Sequence, residues 1–323
     1  MHEPTFRQAL SRSWQLVAQK KSLWIFGLLS ALIGQMGLSD FVGMLYKTTN
    51  EGFRPYDFSL FFDFINSLNW HRVSVVLLAL WLLGIILLLI MVIVFVSVSA
   101  RGAIIAYAIH WYKKESIMPL SDAWNKGVQR FFPLLAISIV GRGLQMIFIC
   151  LFSVVASRLV QGNTLSGSLW LIFSATVALC FILLIEAVSI FSSGYLMFEK
   201  KSLVKSVQKG WSLFLDHVLV SFELGVVLML LSAILLGVII YGSFVAFLPS
   251  LVMWLIAGLS GMNFLIGFGI YSGVVLYIAL VLVLAGIFNA FVTCSWMYLF
   301  MKMHHEGVVS RVIHFFQHLF RRT

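Results

Sequence analysis

Long uninterrupted apolar runs alternate with short basic stretches along the whole chain, and the predicted elements follow from that alternation. A bilayer core about 30 Å thick takes ~20 apolar helical residues to cross. Six segments reach that length or come near it: 22–38, 73–100, 131–157, 169–198, 217–246 and 268–301. The first is short, so its flanks must snorkel or the bilayer must thin around it. Residues 224–301 contain no Asp, Glu, Lys or Arg, enough length for three crossings. Pro249, Gly258, Gly261 and Gly267 punctuate that stretch and leave 250–257 too short to span. The pattern therefore predicts six spans, with 250–264 as an interfacial or re-entrant segment on the outer face. Residues 22–38 read as a retained first span and not a signal peptide. The basic stretch before them, Arg7 to Lys21, is too long, and no small-x-small cleavage site closes the run.

Basic residues orient these spans. With the N-terminus inside, 17 of the 22 Lys and Arg fall in cytoplasmic segments (Arg7 to Lys21, Arg101 to Arg130, Lys200 to Lys209, Lys302 to Arg322). Only Lys47, Arg54, Arg72 and Arg158 fall outside, while Arg142 lies within a span. The positive-inside rule thus predicts both termini in the cytoplasm of a bacterial-type inner membrane. Tryptophans fit the same frame: Trp70, Trp170 and Trp254 at the outer edge, and Trp14, Trp24, Trp111, Trp211 and Trp296 toward the inner one.

Composition agrees. Hydrophobic residues make up 61% of the 323 and charged residues 11%, with a mean hydropathy of +1.01, against ~45–50% and ~25% in soluble domains. A soluble fold, a disordered chain and a secreted disulfide scaffold are excluded. The net charge of +10 is accounted for by orientation, so nucleic acid is not an expected partner. Cys150, Cys180 and Cys294 all lie in apolar runs, which leaves no disulfide framework or zinc site.

Three cytoplasmic segments share a pattern: Ala9-x3-Ser13-Trp14-x-Leu16, Ala123-x3-Gly127-Val128 and Ser206-x3-Gly210-Trp211-x-Leu213. Each reads as an amphipathic helix at the inner interface leading into a transmembrane hairpin. The fold class is therefore all-α: one integral membrane domain of six helices, with repeat units of about 5–100, 117–198 and 202–301. A basic amphipathic tail, 302–323, follows. In it Val308, Val312, Phe315, Phe316 and Leu319 form an apolar stripe, while Arg311, Arg321 and Arg322 face anionic lipid.

The run Tyr195-Leu-Met-Phe-Glu199, continuing through Ser202, Ser206 and Gly210-Trp211-Ser-Leu-Phe214, resembles the repeated element of a bacterial membrane-protein family. That family includes the membrane domain attached to some glycerophosphoryl diester phosphodiesterases. Phe6 to Leu28, with Trp14 and Trp24, is similar to its N-terminal element. The resemblance implies a six-helix membrane module. The family's phosphodiesterase activity resides in a separate soluble domain, so no catalytic residue carries over.

Three ionisable residues fall well inside the spans: Arg142, Glu186 and Glu223. At the membrane centre each costs ~2.5–3.5 kcal/mol or more, so each must face the bundle and find a partner. Ser138, Arg142 and Gln145 share one helix face, as do Glu186, Ser189 and Ser193, and as do Asp216 and Glu223. Gly141 and Gly143 flank Arg142 and leave room for a close approach. Two readings follow. Arg142 anchors an anionic solute or lipid headgroup in a polar cavity, with Ser138, Gln145, Glu186, Ser189 and Glu223 around it; alternatively, it forms a structural ion pair with Glu186 or Glu223 that sets helix register.

Other signals are weaker. Gly269-x3-Gly273 and Gly286-x3-Ala290-x3-Cys294 are small-residue stripes suited to close packing within the bundle, or to a homo-oligomer. Asn289 and Thr293 are placed to hydrogen-bond across that helix. His314 and His318 have only Glu306 nearby as a further ligand, so neither a metal nor a cofactor is expected. No phosphate loop, zincin motif or nucleophile elbow occurs. Ser121-Asp122-Ala123-x3-Gly127-x9-Ile137 faintly resembles the coupling loop of binding-protein-dependent permeases, but it lacks the second alanine and the closing Leu-Pro. The expected function is non-enzymatic: binding or moving a small anionic or lipid-derived ligand. A structural or assembly role and a permease subunit are the alternatives.

Overall fold

The computed structural model describes residues 5–32, 73–114, 118–161, 165–199, 202–262 and 264–305. Among them are nine helices and no strand: α1 (Thr5–Gln19), α2 (Ser22–Ala31), α3 (Val73–Lys114), α4 (Leu120–Gln129), α5 (Phe131–Gln161), α6 (Leu165–Phe198), α7 (Leu203–Asp216), α8 (Val218–Ser260) and α9 (Phe264–His305). Five of these, α3, α5, α6, α8 and α9, are long and apolar enough to cross a membrane. That length and composition fit a multi-pass membrane protein. The sixth expected span, 22–38, is described only as the ten-residue α2, and the outer loop 39–72 and the tail with Arg311, Arg321 and Arg322 lie outside the described residues.

Two boundaries differ from expectation, for identifiable reasons. Residues 250–260 are no separate interfacial segment: they are the last turns of α8, which runs straight through Pro249. Proline is tolerated in apolar helices where neighbours satisfy the freed backbone group. The helix ends instead at Gly261, whose φ of +69° places it in the left-handed region while its N–H donates to Ala257 O at 2.9 Å. That is the usual glycine stop of a helix C-terminus. The other difference lies in α3, which continues 14 residues past Ala100 with no proline to halt it. Arg101 therefore belongs to the helix interior and not to a cytoplasmic loop.

Three of the short helices, α1, α4 and α7, are amphipathic, and their buried positions share a spacing. In α1 these are Ala9, Ser13, Leu16 and Val17; in α7 they are Ser206, Gly210, Leu213 and Phe214. Both sets fall at i, i+4, i+7 and i+8, one helix face with two small residues followed by two large ones. In α4 the small pair is Ala123 and Gly127. The small residues let backbones approach. A Cβ on Gly127 would strike Ser99 O and sit 3.0 Å from Ala103 N of α3; one on Gly210 would lie 2.8 Å from Ser192 N of α6. Thus α4 packs on α3 and α7 on α6, while α1 packs on α9 through Trp14 against Phe291 and Gln8 against Tyr298 and Lys302.

Burial is concentrated at one end of the long helices, the end that carries the short ones. The main core joins Ala103–Ile109 of α3, Ala187, Ile190 and Phe191 of α6, and Ala290, Trp296, Met297 and Phe300 of α9. Its rings meet edge to face: Phe191 with Trp296 at 5.7 Å and 75°, Tyr195 with Phe300 at 4.9 Å and 90°, the arrangement the ring quadrupole favours. Trp296 is therefore a core residue, whereas Trp14 and Trp211 are exposed. Trp24 spends its indole N–H on Val17 O at 2.9 Å, fastening α2 to α1. Farther along α3, Leu77, Leu78, Leu80, Trp81, Leu87, Leu88 and Met91 are all exposed. A helix apolar on every side suits hydrocarbon surroundings.

The small-residue stripes are used within the chain. Gly27 of α2 crosses Gly286 of α9 so closely that a Cβ on Gly27 would overlap the Gly286 carbonyl. Asn289 sits one turn from that crossing and donates to Gly27 O at 3.0 Å and Ser30 Oγ at 2.6 Å. Gly269 and Gly273 lie against α8, where Ser250 donates to Gly269 O at 2.6 Å.

Candidate anion pocket between α3, α5 and α6

Three of the long helices bring polar groups together in an otherwise apolar region. Ser138, Gly141, Arg142 and Gln145 come from α5, Glu186 and Ser189 from α6, and Arg101 from α3. These residues line a pocket of about 270 Å³ of atom-free space, its open side included. Helical period explains the α5 set, since 138, 142 and 145 fall on one face. Counting 1.5 Å per residue from the end of each helix at the core puts Arg101, Arg142 and Glu186 roughly 16–20 Å in, a common level. Five of the six residues singled out from the sequence, Ser138, Arg142, Gln145, Glu186 and Ser189, thus line one pocket. Glu223 does not. It sits five residues into α8, near a helix end and away from this level.

Glu186 is held from two sides. Gln145, itself buried, donates from Nε2 to Glu186 Oε2 at 3.1 Å. Arg101 Nη2 lies 3.7 Å from Glu186 Oε1, an ion pair too long for a hydrogen bond. The Arg101 side chain is 12% exposed and that of Glu186 24%. Among the described residues, Nε and Nη2 of Arg101 have no hydrogen-bond partner. Ser193, expected on the same face as Glu186, instead donates to Ser189 O at 2.8 Å and stays outside the lining. Gly141 makes room for Ser189, because a Cβ there would come within 3.1 Å of its Oγ; Gly143 faces open space.

The lining carries two guanidiniums and one carboxylate, a formal charge of +1. Such a set in low-dielectric surroundings favours an anion. Among the described residues no group of three His, Cys, Asp or Glu could hold a metal.

Arg101 is the residue that sequence reading misses. Its signal was present as a shift from the Leu- and Ile-rich 77–93 to Ser97-Val-Ser-Ala-Arg-Gly-Ala103. Small residues of that kind mark a helix that packs against others and does not end.

No protein-family model matches the chain, and no curated protein or solved structure matches it.

Proposed function

We propose that this protein is a six-span bacterial-type inner-membrane protein with both termini cytoplasmic, and that it binds or moves a small anionic or lipid-derived ligand without catalysing a reaction. The observation that carries the reading is the convergence of Arg101, Arg142 and Gln145 on one polar pocket amid apolar helices. Charges at such depth are expensive and are retained where they bind or pair. The orientation rests on the basic residues, with Arg101 moved into the pocket, which leaves sixteen in cytoplasmic segments against four outside. We extend the proposal to a threefold helix-plus-hairpin repeat. Its support is the shared burial spacing of α1 and α7, together with the packing of each short helix on the second helix of another unit: α4 on α3, α7 on α6 and α1 on α9. Kinship with the phosphodiesterase-associated membrane domains belongs to the same proposal.

The alternative is a structural role. It is favoured by one observation, the bridging of α3, α5 and α6 by Arg101, Glu186 and Gln145. Native mass spectrometry of wild type and Arg142→Gln from mild detergent separates the two. A co-purifying anionic lipid or solute that is lost from an intact variant supports binding. A bare wild type beside a variant that falls apart makes the polar set a structural tie and ends the ligand reading.

A further inference from the structure

The amphipathic short helices are alike in what they bury and differ in what they expose. Resting on the membrane placement proposed above, we infer that the outer face of α7 is a lipid-contact surface, seated in the phospholipid leaflet at the core end of the bundle. Val204, Val207, Trp211 and Leu215 fall at i, i+3, i+7 and i+11, one face of the helix, and all four are 38–63% exposed. The docked face is a different one, where Ser206, Gly210, Leu213 and Phe214 turn toward α6. Lys205, Ser212 and Asp216, also exposed, make a third side. Thus α7 has two apolar faces, of which one is spent on protein.

The same register in the other short helices sets α7 apart. Aligning Ala123 and Gly127 of α4 with Ser206 and Gly210 puts Trp124 and Val128 where α7 has Val207 and Trp211. Both are half-buried, and Trp124 stacks on Phe26 of α2 at 6.0 Å and 16°, so α2 roofs that face of α4. In α1 the matching residues are half-buried Leu10 and exposed Trp14, with Arg7 and Ala18 in place of Val204 and Leu215. Of the three, α7 carries the longest bare apolar stripe.

Phospholipid is the occupant that fits. Across His217 the stripe continues into Val218, Leu219 and Val226, exposed apolar residues of α8, itself long and apolar enough to cross a membrane. Trp211 suits the headgroup level, and the polar side with Lys205 and Ser212 suits the water above a helix lying in that plane. Apolar contact and not charge drives the seating. Lys209 is paired with Glu199 at 2.8 Å, and the remaining charges of α7, Lys205 and Asp216, cancel.

Spin labels on single cysteines test this in the full chain, with Cys150 and Cys180 changed to Ser and buried Cys294 kept. The protein is reconstituted in phosphatidylcholine vesicles. Val204→Cys, Val207→Cys, Trp211→Cys and Leu215→Cys report the stripe, Lys205→Cys and Ser212→Cys the polar side, and Leu87→Cys and Leu88→Cys the exposed surface of α3. Collisions with oxygen, which concentrates in hydrocarbon, are compared with collisions with a water-soluble nickel chelate. For a face roughly 5–10 Å deep, the oxygen-to-nickel ratio at Val207 and Trp211 should exceed that at Ser212 about fivefold or more, and adding phosphatidylglycerol should leave it unchanged. Equal ratios at the stripe and at Ser212 overturn the inference. So does a contrast that needs the anionic lipid, and so does shielding of the stripe from both reagents, which means that a second copy or another segment covers it. Gel filtration checks folding; if the Val207 or Trp211 variant does not fold, Val204 and Leu215 decide by the same ratio. Nickel-accessible labels at Leu87 and Leu88 remove the membrane reading and this inference together. Shielded labels there beside a nickel-accessible stripe remove this inference alone.

Discussion

The crossing of α2 and α9 offers the sharpest test of the packing. Gly27→Ala adds a single carbon, and that carbon would overlap the Gly286 carbonyl oxygen and lie 3.0 Å from Ala290 Cβ. The first obstacle is backbone, so no rotamer change relieves it. The helices must separate by at least ~1 Å before the new carbon reaches an ordinary contact distance. That separation stretches the two hydrogen bonds of Asn289, now 3.0 Å to Gly27 O and 2.6 Å to Ser30 Oγ. It also disturbs the Ser97 Oγ donation to Ser30 O at 2.9 Å, which ties in α3. Overpacking of a close contact costs ~1–3 kcal/mol, and each interhelical hydrogen bond in a membrane protein adds ~0.6 kcal/mol. The expected destabilisation is therefore about 2–4 kcal/mol. Gly84→Ala is the matched control. Nothing lies within 4 Å of a Cβ there, so the variant gains only helix propensity, about 0.5–1 kcal/mol of stabilisation. Equilibrium unfolding of both variants in mixed micelles measures the difference. A Gly27→Ala protein as stable as Gly84→Ala would refute the backbone contact and the argument built on it.

Two further expectations follow. An apolar maleimide should label Cys180, which is exposed, within minutes in micelles, while buried Cys294 stays unreactive until the protein unfolds; equal rates would contradict the packed core around α9. In a cysteine-free background of intact cells, Ser260→Cys at the end of α8 should react with a membrane-impermeant thiol reagent from outside, and Ser202→Cys before α7 only after permeabilisation. The reverse pattern would invert the proposed orientation.

Periodicity made much of the architecture legible. Apolar runs located the five long helices, and the i, i+4, i+7 spacing of Ser138, Arg142 and Gln145 put three lining residues on one face before any tertiary information. What stayed hidden depends on neighbours. Arg101 followed an apolar run and looked like its cytoplasmic end, because burial of a charge is decided by helices far away in sequence. Pro249 looked like a break because its tolerance depends on the surrounding helices and not on the local chain. Glu223 looked well inside its span although the predicted start at 217 and the observed start at Val218 both leave it within the first two turns of the helix. The small residues Gly27, Gly127 and Gly210 acquired their meaning only when the backbones they admit were seen.

The docking of α1 on α9 has a consequence for how the chain is made. Gln8, Ser13 and Trp14 find Lys302, Tyr112 and Phe291, so the partners of the first helix include some of the last residues described. At 5–20 residues per second, roughly 15–60 s of synthesis separates the end of α1 from the end of α9. Through that interval Ala9, Leu16 and Val17 have no α9 to bury them, and a membrane surface is the natural place for such an amphipathic face to wait. A nascent chain cut short before α9 lacks the α8–α9 hairpin and leaves α1 without its α9 partner, so an undocked N-terminal helix accompanies an unfinished chain.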